Sequence, residues 1–197
     1  SDTVLFIRRA ISMVIAMAMI LLLFPILLVV ACVIKLESPG PVFYTQTRVG
    51  QKGKLFKIFK FRSMRKDAET NGEARWASKD DMRITRVGKF IRLTRVDELP
   101  QLFNVVRGDL DLVGPRPERP EFVEKLQTMI PYYSLRHTVK PGLTGWAQVT
   151  FMYCGTIEES KQKLQYDLFY IKNMSIKLDL LILFRTLKIV ILGRGAR

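Results

Sequence analysis

The chain has few of the residues that build disulfide scaffolds or metal proteins. Two cysteines occur in 197 residues, Cys32 inside an apolar run and Cys154 far from it, neither at metal-ligand spacing. A disulfide framework is thereby excluded as the basis of the fold, and a reducing compartment is the simpler setting. A single histidine, His137, excludes His-rich metal chemistry and reads as a structural or surface residue. Internal repeats and low-complexity stretches are absent, which excludes solenoids and arrays. Acidic residues are scarce beside basic ones, 18 against 32, leaving a net charge of +14. Charge of either sign is missing altogether from residues 10–34.

That uncharged stretch is 25 residues long, and a straight helix of that length reaches about 37 Å, enough for a hydrocarbon core of about 30 Å. It is too long for a signal peptide, and no small-residue cleavage pattern follows it. Pro25 lies inside the run, where it removes a helical hydrogen bond and favours a break. Arg8 and Arg9 flank one end and Lys35 the other, and basic flanks favour the cytoplasmic side. The residues alone allow either a spanning helix with a tolerated kink or a broken helix that enters and leaves by one face. Asp2, Arg8 and Arg9 give the first 34 residues +1, so the remainder carries +13 (14 minus 1). That balance asks for an anionic partner: nucleic acid, an anionic membrane surface or a phosphorylated substrate.

The rest reads as a mostly helical α+β domain. Glu37-Ser-Pro-Gly-Pro41 is a rigid exit from the apolar helix. Residues 42–46 and 55–61 read as short strands around a turn at 50–53, and 67–80 as a polar loop or surface helix. Helices are expected over 85–93, 97–106, 120–129 and 157–173, with 115–118 a proline-stiffened loop and 140–146 turn-rich. Residues 175–192 are densely apolar but interrupted by Lys177, Asp179, Arg185 and Lys188, as in a helix lying on lipid headgroups.

The sharpest local feature is Asp97-Glu98-Leu99-Pro100. Its plain reading is a helix start, with Asp97 the N-cap, Glu98 complementing the dipole and proline in the first turn. Its chemical reading comes from the neighbours. Arg92 and Arg95 precede the acidic pair, and Arg116 follows between Pro115 and Pro117. Arginine forks suit phosphate oxygens, and a carboxylate among cations stays ionised, ready to act as a nucleophile or Mg²⁺ ligand. Two carboxylates with convergent arginines fit phosphoryl transfer. Lys60 and Arg62 could meet lipid headgroups or an acceptor phosphate, and Trp146 reads as packing near the site.

Asp97-Glu-Leu-Pro-Gln-Leu-Phe-Asn-Val105, Arg107-Gly-Asp109 and Leu112-Val-Gly-Pro-Arg-Pro-Glu118 resemble the signature of the bacterial sugar transferases, the monotopic polyprenyl-phosphate phosphoglycosyl transferases. Ser38-Pro-Gly-Pro-Val42, Lys60-Phe-Arg-Ser-Met64 and Lys140-Pro-Gly-Leu-Thr-Gly-Trp-Ala-Gln-Val149 extend the resemblance over essentially the whole chain. The resemblance implies a re-entrant helix-break-helix over 1–36, broken at Pro25. It also implies a cytoplasmic, membrane-associated catalytic domain over 37–197, at the inner membrane of a bacterium. Asp97 would attack the sugar-linked phosphate of a UDP-sugar, release UMP and pass the phosphosugar to polyprenyl phosphate, starting exopolysaccharide or other glycoconjugate synthesis. Glu98 would complete the dyad, Arg92 and Arg116 bind phosphate, and Mg²⁺ sit near Asp97. Expected partners are the UDP-sugar, the polyprenyl phosphate and membrane lipid; the C-terminal helix could also pair two copies into a homodimer, a state the sequence leaves open. Nucleic acid is not expected, since no aromatic platform or recognition helix is present. The competing reading is a non-catalytic basic module for membrane surfaces or nucleic acid. Ser12 stands where the family often has aspartate, and Thr150-Phe-Met-Tyr-Cys154 where many members read Asn-Gly-Arg. Lys163-Leu-Gln-Tyr-Asp-Leu-Phe-Tyr170 and the ending Gly193-Arg-Gly-Ala-Arg197 resemble the exopolysaccharide branch, which implies preceding membrane spans.

Overall fold

A computed structural model describes residues 2–65, 68, 81–151 and 156–192. The expected loop over 67–80, Cys154 and the chain end from 193 lie outside the described residues, apart from residue 68.

Helix α1 runs from Asp2 to Glu37 without interruption, Pro25 included. The expected break is thus not a gap in helical structure. Pro25 sits on the exposed side of α1, where a missing hydrogen bond disturbs no packing. Among the described residues α1 alone has the length and apolarity to cross a membrane. It is apolar all round, yet one stripe faces the rest of the molecule. Ile15, Ala16, Met19 and Ile20 pack with Ile58, Leu102 and Val105. Leu23, Leu27, Val30, Ala31 and Ile34 pack around Phe61 and Ile91. The three-and-four spacing is that of one helix face. Leu21, Leu22, Phe24, Leu28 and Val29 are exposed on the other side.

Both ends of α1 are fastened. Arg8 donates from Nε to Asp179 Oδ2 at 2.7 Å and also to the Tyr170 hydroxyl. Arg9 donates to the carbonyls of Val105 at 2.6 Å and Leu110 at 3.0 Å. At the other end Arg62 grips the carbonyls of Ser38 and Pro39, each at 2.8 Å. The arginines expected to mark the membrane flank therefore make tertiary contacts.

Strands β1 (Phe43–Val49) and β2 (Leu55–Phe61) form an antiparallel hairpin, with Tyr44 opposite Lys60 and Arg48 opposite Phe56. A 3₁₀ turn at Gln51–Gly53 joins them. Helix α2 (Arg86–Leu93) is capped by the Thr85 side chain, which accepts from Gly88 N. After a 3₁₀ turn at Val96–Glu98 comes α3 (Gln101–Arg107), ended by Gly108 at φ 99°. Then follow β3 (Asp111–Val113), α4 (Pro120–Met129), a 3₁₀ turn at Tyr133–His137, β4 (Gly142–Thr144) and α5 (Trp146–Thr150). The last helices are α6 (Ile157–Lys172) and α7 (Ile176–Ile191). Thr156 and Glu159 form a capping box on α6, and Ser175 caps α7.

The β3–β4 pair is parallel, matching Asp111 with Gly142 and Val113 with Thr144. In place of the turn-rich segment expected over 140–146, the chain forms β4 there, since three residues with two glycines nearby carry no alternation to detect. A Cβ on Gly114 would lie 2.6 Å from the Lys140 carbonyl oxygen, so the two segments approach closer than any side chain permits. That crossing brings 140–146 against the start of the Pro115-Arg116-Pro117 loop.

Candidate active site

Asp97 and Glu98 lie on the 3₁₀ turn between α2 and α3, and Asp97 is not the N-cap of α3. Pro100 holds that position, with no side-chain cap. Arg95 enters the turn in the left-handed conformation, φ 60°, which a non-glycine residue adopts only under constraint from its surroundings. Pro100 and Gln101 behind the turn are buried, so the acidic pair is backed by packed chain rather than solvent. Asn104, wholly buried, splints α3 to β2. Its Oδ1 accepts from Phe59 N at 2.9 Å, while its Nδ2 donates to Lys57 O at 2.8 Å and Asp109 Oδ2 at 3.1 Å. That splint puts Lys60, one residue further along β2, beside the acidic turn.

The two carboxylates have different surroundings. Lys60 Nζ donates to Glu98 Oε1 at 3.0 Å, and Arg116 grips both Glu98 oxygens through its two terminal nitrogens. Burial alone would raise the Glu98 pKa, but the charges and hydrogen bonds of Arg116 and Lys60 outweigh it and hold it well below the usual carboxylate range. Asp97 goes the other way. Burial first, and the Glu98 charge second, push it up to about 6 against the opposing pull of Lys60, Arg92 and Arg116. Lys60 is itself lowered by burial despite the Glu98 charge. Glu98 is therefore a fixed anion, and Asp97 is a carboxylate more basic than usual that is still mostly ionised at neutral pH. Such a group is a better nucleophile than an ordinary aspartate.

Four residues singled out in the sequence, Asp97, Glu98, Lys60 and Arg116, thus converge, and Arg92, in the last turn of α2, adds its field to Asp97. Arg62 is elsewhere. It is buried, and its two terminal nitrogens bond the end of α1, so the geometry makes it the joint between α1 and β2 instead of a phosphate or headgroup contact. Pro25 is also remote, on the exposed side of α1. Trp146 packs between the Arg185 guanidinium, 4.9 Å from its centroid, and the Phe169 ring at 5.9 Å. His137 packs edge-on against Tyr133, and burial pushes its pKa down to about 4. Ser12 is buried in the α1 stripe.

Sequence reasoning misses the supporting residues: Asn104 as a splint, and Arg48, Arg136, Lys163 and Asp167 behind the Arg116 loop. Their signal is weak, because an isolated arginine or asparagine in a helical stretch looks like surface.

Among the described residues no three His, Cys, Asp or Glu side chains group as a metal cage. A hard cation such as Mg²⁺ needs only one or two carboxylates when phosphate oxygens and water complete its shell. Asp97 fits that donor set, whereas Glu98 already neutralises two cations.

A family model described as bacterial sugar transferase matches residues 3–193. The chain is 48% identical over 192 residues to the UDP-N-acetylgalactosamine-undecaprenyl-phosphate N-acetylgalactosaminephosphotransferase of Aeromonas hydrophila, covering 98% of this chain and 45% of that protein. It is 43% identical over 181 residues to the UDP-glucose:undecaprenyl-phosphate glucose-1-phosphate transferase of Escherichia coli (strain K12), covering 91% of this chain and 39% of that protein. It is 42% identical over 188 residues to the exopolysaccharide production protein PSS of Rhizobium leguminosarum bv. phaseoli, covering 92% and 94%. The chain spans less than half the length of the first two relatives and nearly all of the third.

Proposed function

This chain belongs to the bacterial sugar transferase family, and from that membership we propose that it moves a hexose-1-phosphate from a UDP-sugar to undecaprenyl phosphate, with Asp97 as the nucleophile. The observation that carries the reading is the asymmetry of the dyad: Glu98 saturated by Arg116 and Lys60, Asp97 buried beside it and more basic. An Asp97 oxygen attacks the sugar-linked phosphorus and forms a P–O bond. The diphosphate bridge breaks, and its electron pair leaves on UMP. An oxygen of undecaprenyl phosphate then attacks the same phosphorus and returns the electron pair to the Asp97 carboxylate, giving an undecaprenyl diphosphate sugar. Arg92 and Arg116 bind the phosphate oxygens, and Glu98 holds Arg116 in place. Asp97 would hold Mg²⁺ together with phosphate oxygens of the donor, and the ion would supply charge neutralisation as UMP departs.

The membrane reading follows from α1. Its inward stripe from Arg8 to Ile34 rests on a domain that carries Lys60, Glu98 and Arg116, so a helix crossing the bilayer would draw charged groups into hydrocarbon. A bend at Pro25 that keeps the helical structure would let α1 dip into one leaflet and return, which avoids that cost and puts the site at headgroup level on the cytoplasmic face. α7 supports the same placement. Ile176, Leu180, Phe184, Leu187 and Ile191 are exposed along one helix face, and Lys177 and Lys188 can reach anionic lipid. The product would open exopolysaccharide or related glycoconjugate synthesis.

The test is incubation in lipid nanodiscs with Mg²⁺ and a panel including UDP-glucose and UDP-N-acetylgalactosamine, following UMP release and intact mass together. A mass increase equal to one phosphosugar, absent in Asp97→Asn, is the expected result. Wild-type UMP release by Asp97→Asn would end the covalent reading.

A further inference from the structure

Arg116 lies on a loop between β3 and α4 with no regular structure of its own. Pro115 and Pro117 restrict the backbone on either side but also remove two N–H groups, so the loop must be held by its carbonyls. Two arginines hold them, Arg136 buried and Arg48 half-buried. Arg136 Nη2 donates to the carbonyl of Arg116 at 2.7 Å, and Arg48 Nη1 donates to the carbonyl of Pro117 at 3.1 Å. Val49 N donates to Glu118 O at 3.0 Å and completes the row.

Arg136 is itself fixed. It is 3% exposed and forms an ion pair with the equally buried Asp167 on α6, Nη2 to Oδ2 at 2.9 Å and Nε to Oδ2 at 3.1 Å. Its Nη1 donates to the Tyr133 hydroxyl at 2.8 Å, and the guanidinium lies over the Tyr133 ring, 5.2 Å from the centroid. Lys163, one helical turn before Asp167, binds Glu118 Oε1 at 2.6 Å. α6 therefore holds the loop at two points: at residue 116 through Arg136, and at residue 118 directly. A buried ion pair adds little stability over an apolar pair of equal volume, but a planar fork fixes direction.

We infer that Arg136, locked by Asp167, is a positioning residue that sets Arg116 against Glu98 and toward the donor's phosphates, acting through the Arg116 carbonyl. The inference rests on the phosphate-binding role proposed for Arg116. A displacement of that guanidinium by about 1 Å is enough to lower turnover by about 10²-fold.

A double-mutant cycle on kcat/KM tests it, with UDP-glucose, UDP-N-acetylgalactosamine and undecaprenyl phosphate as substrates in nanodiscs. Arg136→Lys keeps a cation beside Asp167 but cannot reach Asp167, Tyr133 and the Arg116 carbonyl together. In the wild-type background it is expected to reduce kcat/KM by about 10²-fold. In an Arg116→Lys background, where no fork remains to be aimed, the same change should cost less than about threefold, because residues acting in series are not additive. A full loss in both backgrounds, or wild-type turnover of Arg136→Lys, overturns the inference. Wild-type turnover of Arg116→Lys overturns the role of Arg116 and this inference with it, so the two failures are distinguishable. If Arg136→Lys does not fold, Asp167→Asn, which keeps an acceptor for Arg136 while removing the charge, carries the same cycle.

Discussion

Replacing Asp97 by asparagine should abolish turnover while making the protein more stable at neutral pH. Asp97 is 8% exposed, and its pKa stands at about 6 against an ordinary 3.8, burial being the larger cause and Glu98 the second. Because the folded value lies above the unfolded one, the ionised carboxylate is disfavoured by folding. Its contribution to stability is greatest below pH 3.8 and is lost as pH rises through about 6. The gap is worth roughly 3 kcal/mol at pH 7.5, at about 1.4 kcal/mol per pH unit, and about 1 kcal/mol at pH 4.5, where the folded carboxyl is already protonated. Asparagine keeps the shape without the charge. Urea unfolding of both proteins at the two pH values is the assay, since other titrating groups cancel in the difference. The variant should gain about 3 kcal/mol at pH 7.5 and a smaller margin at pH 4.5. A variant no more stable than wild type at pH 7.5 would refute the claim that folding holds Asp97 ionised at a cost.

The pH profile of kcat/KM should fall on the acid side as Asp97 takes up its proton, with a midpoint that moves below the metal-free value of about 6 as Mg²⁺ is raised, because a bound cation favours the carboxylate. Glu98→Gln should move that midpoint downward, because the Glu98 charge is one of the two causes that raise Asp97, and should also slow turnover by freeing Arg116 and Lys60. Asn104→Ala leaves the Phe59 N–H and the Lys57 carbonyl without their partner, and chemical unfolding should register a loss of about 2–4 kcal/mol. Removing divalent cations with EDTA should stop UMP release, and added Mg²⁺ should restore it. Turnover that persists in EDTA would remove the metal from the proposal.

Elements with strong local signals are legible in the sequence. The helices expected at 85–93, 120–129, 157–173 and 175–192 form within a residue or two of those spans, because capping residues and apolar spacing act over a single turn. The hairpin is legible because its strands flank a glycine turn. The helix expected at 97–106 forms only in its second part. Its first residues make a 3₁₀ turn entered through a left-handed Arg95, a conformation fixed by packing around Ile91 and Leu99 that no local propensity encodes.

Composition and near neighbours along the chain establish that a long apolar helix precedes a basic α+β domain, and that an Asp-Glu pair lies among arginines. Which carboxylate is gripped by cations and which is left more basic is decided by folding. Lys60 from β2 and Arg116 from the proline loop both settle on Glu98, across 38 and 18 positions of chain. Folding also commits Arg62 to the joint with α1, and sets Arg136 and Asp167 behind Arg116. Hydrogen bonds between distant segments exist only once the chain has closed, and the pKa of a carboxyl follows from what closure puts beside it.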